Sequence, residues 1–91
     1  MIVIEFDPAK DAINRTKHGL SLAAAAALFG GPILREIDDR FDYDEERWLA
    51  VGRIGDDIFT ACYTMRGPVY RIISFRPANR KEREAYAKTY T

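Results

Sequence analysis

Ninety-one residues, 47% hydrophobic and 31% charged, describe one domain with a single modest core, too short for a second domain and too apolar for a disordered chain. No apolar run approaches the ~18 residues of a membrane span, and Met1-Ile2-Val3-Ile4-Glu5 lacks the basic start of a signal peptide, so the expected compartment is the cytoplasm, with no membrane partner. One histidine and one cysteine argue against a zinc site, which needs about four ligands, and Cys62 lies in an apolar stretch that suits packing.

In chain order, Ile2 to Phe6 alternate as a short strand. Asp7-Pro8 then supplies an N-cap and a proline at the first helical position. The helix that follows spaces Ala9, Ile13 and Leu20 as an apolar stripe, and Gly19 is placed to end it in a left-handed conformation. Ser21 caps a second helix with Leu22, Ala25, Ala26 and Phe29 on one side, stopped by Gly30-Gly31-Pro32. The pattern then takes the period of strands over Ile33 to Ile37, Arg47 to Ile54, Ile58 to Arg66 and Val69 to Arg76, with an acidic loop from Asp38 to Glu45. Gly55-Asp56 and Gly67-Pro68 read as hairpin turns. A last helix runs from about Arg80 to Tyr90, with Asn79 as N-cap and Glu82 in capping-box position. The order β-α-α-β-β-β-β-α predicts an α/β (α+β) domain spanning residues 1–91. Its expected layout is an antiparallel sheet with the two N-terminal helices on one face and the last helix at an edge or across the end.

The zero net charge conceals a division along the chain. From Glu36 to Glu46 seven acidic residues stand against Arg40 alone, whereas from Arg66 to Lys88 seven basic residues stand against Glu82 and Glu84. Such asymmetry can build a basic surface that attracts phosphates, or a solvated face laced with ion pairs. Two-residue hairpin loops would set Thr64 opposite both Arg47 and Arg71, with Arg66 opposite Val69. Alternation then places Arg47, Arg66 and Arg71 on a face with Leu49, Val51, Arg53, Cys62, Ile73 and Phe75. The other face holds Trp48, Ala50, Phe59, Ala61, Tyr63, Met65, Tyr70 and Ile72, with Glu46, Ser74 and Arg76 towards its ends; being the more apolar, it belongs under the helices.

Three neighbouring guanidinium groups repel one another unless anions lie among them, and the planar fork of arginine suits phosphate oxygens. The same arginines could instead close the end of the sheet by pairing with Glu45, Glu46 or Glu82. His18, at the end of the first helix, suits proton transfer near neutrality or a favourable interaction with the helix dipole. Tyr86 and Tyr90, one turn apart, could stack on a base or fill the core.

Phe6-Asp7, Lys10, Asn14 and Lys17-His18-Gly19, then an alanine-rich helix, resemble the opening of BrnT toxins. Arg47 through Gly52, Arg71-Ile72-Ile73-Ser74-Phe75-Arg76-Pro77-Ala78 and Arg80 to Tyr86 are similar to the rest of that family, so the resemblance covers nearly the whole chain. It implies a RelE-like domain, the toxin of a type II toxin-antitoxin system, that cleaves RNA without a metal or other cofactor and inhibits translation and growth. It also implies neutralisation by a BrnA-type antitoxin, with operator DNA reached only through the complex. RelE-like chemistry uses the ribose 2′-hydroxyl as nucleophile, which asks for positive charge at the scissile phosphate and a proton carrier such as His18, Glu46 or Glu82. The expected site is therefore Arg71, Arg66 and His18 for catalysis, and Arg47, Lys17, Arg76, Arg80, Arg83 and Tyr86 for RNA binding. Neutral charge and the lack of an obvious acid-base pair also fit a non-catalytic protein-interaction or RNA-binding module.

Overall fold

The computed structural model describes residues 2–40 and 44–90; the centre of the acidic loop, with Asp42, lies outside the described residues. Its elements are β1 (Ile4–Glu5), α1 (Pro8–His18), a 3-10 segment (Leu22–Gly30), β2 (Ile33–Ile37), β3 (Trp48–Ile54), β4 (Asp57–Arg66), β5 (Val69–Pro77) and α2 (Arg80–Thr89). They form a mixed α+β structure around one five-stranded sheet in the order β1-β5-β4-β3-β2. Local chemistry accounts for the boundaries. Asp7 accepts the Ala9 N–H, Gly19 closes α1 at φ 69°, and Asn79 and Glu82 complete a reciprocal capping box. No described helix is long and apolar enough to cross a membrane.

Both hairpin loops have two residues, which gives the pairs Ile54 with Asp57 and Arg66 with Val69. Gly55 and Gly67 lead these loops at φ 63° and 59°, and among the described residues no non-glycine has a positive φ. This is the pattern of a type II′ turn, which explains the Gly67-Pro68 pair: glycine takes the left-handed first position and proline the second, where φ is negative.

Four features depart from the expected layout. β1 is two residues long and runs parallel to β5, so the sheet is antiparallel except at this edge. The second helix is wound as 3-10, and it buries Leu22, Ala25 and Leu28 completely, at the spacing of three that this helix presents to one side. Of the expected stripe, Leu22 and Ala25 are buried and Phe29 packs against the core, while Leu28 joins them and sits close to Gly52 of β3, where a Cβ would meet Leu28 Cδ1 at 2.9 Å. Third, the register on β5 jumps between Cys62 and Tyr63, leaving Ile73 as the extra residue of a bulge. Beyond it alternation is inverted. Phe75, expected beside the arginines, is 1% exposed in the core against Phe59, and Arg76 and Ser74 move to the opposite face. Fourth, α2 covers part of the second face over β2 and β3, where Tyr86 and Ala78 pack with Val51, Leu34 and Ile58.

The main core joins the 3-10 segment to Ala50, Ala61, Tyr63, Ile72 and Phe75, with Trp48 packed against it. Trp48 and Tyr63 thus face inward as expected, and Phe29 meets Tyr63 edge to face at 5.2 Å between centroids. α1 is tied to the sheet by one side chain. The buried Asn14 carboxamide accepts the Phe75 N–H at 3.1 Å and donates to the Phe75 and Leu20 carbonyls, each at 2.8 Å. It pairs with the edge of β5 as a neighbouring strand would.

Asn14→Ala should leave these backbone groups buried without partners. The expected cost is about 2 to 4 kcal/mol, seen as a melting temperature lower by roughly 10 to 20 °C. Asn14→Asp should not rescue it, because a carboxylate cannot donate to the two carbonyls.

Candidate functional site

The open part of the second face carries the predicted arginine row. Thr64 pairs with Arg71 across β4 and β5, Arg66 follows at the hairpin, and Arg47 precedes Trp48, the partner of Tyr63. The Thr64 hydroxyl donates to the Glu46 carbonyl at 2.7 Å and holds the end of the loop against the sheet. Each arginine has a carboxylate nearby. Glu45 lies 3.8 Å from both Arg47 and Arg66, and Glu5, brought alongside by the parallel β1 pairing, lies 3.6 Å from Arg71. The Arg66 and Arg71 guanidinium groups make no hydrogen bond among the described residues. Their pairs are partly exposed and longer than hydrogen-bond length, so they contribute little stability and can yield to a better anion.

Arg76 is held differently. Its Nη1 and Nη2 donate to the two Glu82 oxygens at 2.7 and 2.9 Å, while Glu82 Oε1 also accepts the Asn79 N–H. Burial pushes the Glu82 carboxyl up, but these bonds outweigh it and keep it below the ordinary carboxylate range. With both oxygens engaged, Glu82 is poorly placed to carry a proton. Arg80 pairs with Glu84 along exposed α2, and Arg83 donates to the Ala78 carbonyl at 2.7 Å. Tyr86, expected to stack on a base, is 3% exposed and donates its hydroxyl to the Pro32 carbonyl, because α2 turns that side inward. Tyr90 is the more exposed of the two and donates to the Ile33 carbonyl.

His18 is not in the arginine row. It lines a cavity of 210 Å³ between α1 and β5 with Lys10, Lys17, Asn14, Ile13, Ile73 and Ser74. Desolvation, then Lys17 and Arg76, lower its pKa below the ordinary histidine value. Along β5, Ser74 lies three residues beyond Arg71, or about 10 Å of extended strand.

One cluster escaped the sequence reading. Asp38, at the end of β2, is buried and accepts Nε and Nη2 of Arg40 at 2.7 and 2.9 Å. The Cys62 thiol donates to its Oδ2 at 3.6 Å. Arg40 holds the Asp38 carboxyl down to about 2, against the effect of burial. Burial and the Asp38 charge push the Cys62 thiol up to about 11, so this cysteine is a protonated packing group and not a nucleophile. The signal was present as Asp38-x-Arg40 at the end of a strand, but the excess of acids around it masked the pair. Among the described residues no group of three His, Cys, Asp or Glu could hold a metal ion.

Sheet and face together define a small α+β protein in which Arg66 and Arg71 lie partly exposed beside carboxylates at 3.8 and 3.6 Å. Residues 6–82 match the family described as the ribonuclease toxin, BrnT, of type II toxin-antitoxin systems, and the chain belongs to that family. Membership indicates a ribonuclease toxin, with RNA as substrate and an antitoxin as partner. No curated protein matches the chain.

The Asp38 pair gives acid sensitivity with a definite sign. Because folding lowers this pKa, its stabilisation is complete above the ordinary value of 3.8 and is lost as pH falls through about 2. Asp38→Asn should cost about 2 kcal/mol near neutrality. Urea denaturation at pH 6 and pH 2.5 should show the wild type losing more stability than the variant; an equal loss would remove the assignment.

Proposed function

We propose that this chain is a metal-independent endoribonuclease of RelE-like architecture that arrests translation and growth in the cytoplasm, and that the Arg47, Arg66 and Arg71 face is its active site. The observation that supports it most is the looseness of this face. Arg66 and Arg71 approach Glu45 and Glu5 at 3.8 and 3.6 Å without hydrogen bonds, whereas Arg76 is locked to Glu82. A phosphodiester displaces the carboxylates and takes paired N–H bonds from the guanidinium groups.

In this mechanism the 2′-oxygen of the substrate attacks the adjacent phosphorus, a new P–O bond forms, and the bond to the 5′-oxygen breaks. Arg66 and Arg71 stabilise the charge that builds on the phosphoryl oxygens. Glu45, 3.8 Å from both Arg47 and Arg66, accepts the 2′-hydroxyl proton; the departing 5′-oxygen takes a proton from water, and the hydroxide left is neutralised by the proton that Glu45 gives up. The products are a cyclic phosphate and a 5′-hydroxyl. The antitoxin is of the BrnA type. It carries the link to operator DNA and covers this face with an acidic or amphipathic segment.

Arg71→Ala should reduce RNA cleavage about a hundredfold or more. Since its partly exposed pair with Glu5 contributes little, stability should change by no more than about 1 kcal/mol. Glu45→Gln should slow cleavage by roughly a hundredfold or more as well. Cleavage by the wild type should persist in a chelator. RNA left intact at high protein concentration would favour a non-catalytic module, and a folded Arg71→Ala protein with full activity would remove the arginine from the site.

A further inference from the structure

The arginines of the sheet are accompanied by carboxylates, but the cavity between α1 and β5 contains cations without them. Lys10 and Lys17, two turns apart on one side of α1, converge there with His18 and Ser74, and no acidic side chain lines the space. Neither lysine takes part in an ion pair among the described residues. The acidic residue between them in sequence, Asp11, faces elsewhere: it pairs with Arg15 and accepts the Leu22 N–H. Asn14, between the two lysines in sequence, is consumed by the edge of β5 and fixes the distance from α1 to the strand.

We propose that this cavity binds a phosphate of the RNA strand outside the bond that is cut, with Lys10 and Lys17 as its charged ligands and the Ser74 hydroxyl as a donor. The proposal rests on the chain being an RNA-binding protein and adds to the arginine row a second phosphate position on the same strand. The bulge at Ile73 makes the two positions compatible, because it turns Ser74 to the face that carries Arg71. At 210 Å³ the space is large enough for a phosphate group. Burial first, then the charges of Lys17 and Arg76, hold the His18 pKa below the ordinary histidine value, and the Lys17 contribution reflects a cation that no carboxylate in the cavity offsets.

The test uses a single-stranded 2′-O-methyl RNA oligonucleotide, which lacks the nucleophile, and reads His18, the sole histidine, by NMR. Oligonucleotide and inorganic phosphate should each shift the His18 ring signals. Lys10→Ala/Lys17→Ala, both on exposed positions, should keep the wild-type melting temperature. It should bind the oligonucleotide about tenfold more weakly, and the slope of log affinity against log salt should fall by about 0.7 for the one phosphate lost. Lys10→Arg/Lys17→Arg should restore the slope, and the exposed Lys88→Ala should leave it unchanged. An unchanged slope in the alanine variant, or His18 signals unmoved at saturation, overturns the proposal. Signals that move with an oligo-glutamate peptide and not with the oligonucleotide also overturn it and assign the cavity to an acidic protein segment. Cleavage of unmodified RNA, measured alongside, separates the two ideas: its absence removes the enzyme, whereas binding without an effect of the lysines removes only this cavity.

Discussion

One carboxamide joins the helix, the turn and the sheet. β1 reaches only Tyr70 and Arg71, so the outer edge of β5 beyond them has no strand beside it, and Asn14 satisfies Phe75 in place of one. Its remaining donor holds Leu20, where the chain leaves α1 for the 3-10 segment that caps the core. A buried amide with all three of these bonds made is worth keeping in register, because any displacement of α1 would strand polar groups on both elements at once. The position of Lys10, Lys17 and His18 relative to β5 follows from that anchor.

The bulge at Ile73 has a comparable reach. A regular β5 would have turned Phe75 out among charged groups and pressed Arg76 into the helix-covered face. One extra residue reverses both, giving the core a phenylalanine and giving α2 the Arg76–Glu82 pair that ties its first turn to the sheet. The ion pair and the capping box share Glu82, so the helix start and the strand end are stabilised by the same carboxylate.

Neutral net charge is reconciled with phosphate chemistry by the grading of these pairs. Arg40 and Arg76 are committed to carboxylates at hydrogen-bond distance, whereas Arg66 and Arg71 are only accompanied by them. Acidic neighbours at that longer range reduce repulsion among the arginines in the unbound protein. They also make the face suitable for exchange, since the carboxylates lose little when an anion with better geometry replaces them.

Much of the local structure was legible because it depends on neighbours in sequence. Asp7-Pro8, Gly19, Asn79 with Glu82, and the two glycine-led turns each act over a few residues, and these turns brought Thr64 opposite Arg71 without further information. The family too could be read from the chain, since its motifs are linear. Tertiary structure alone decided the bulge at Ile73, the parallel placement of β1, the 3-10 winding over Gly52 and the face covered by α2, because each depends on volume or hydrogen bonds supplied by residues distant in sequence. It also decided how each charge is used. The sequence displayed seven basic residues from Arg66 to Lys88 as equals, but Arg76 found Glu82 at hydrogen-bond distance while Arg71 met Glu5 from the other end of the chain at 3.6 Å, a difference that depends on residues far apart in sequence.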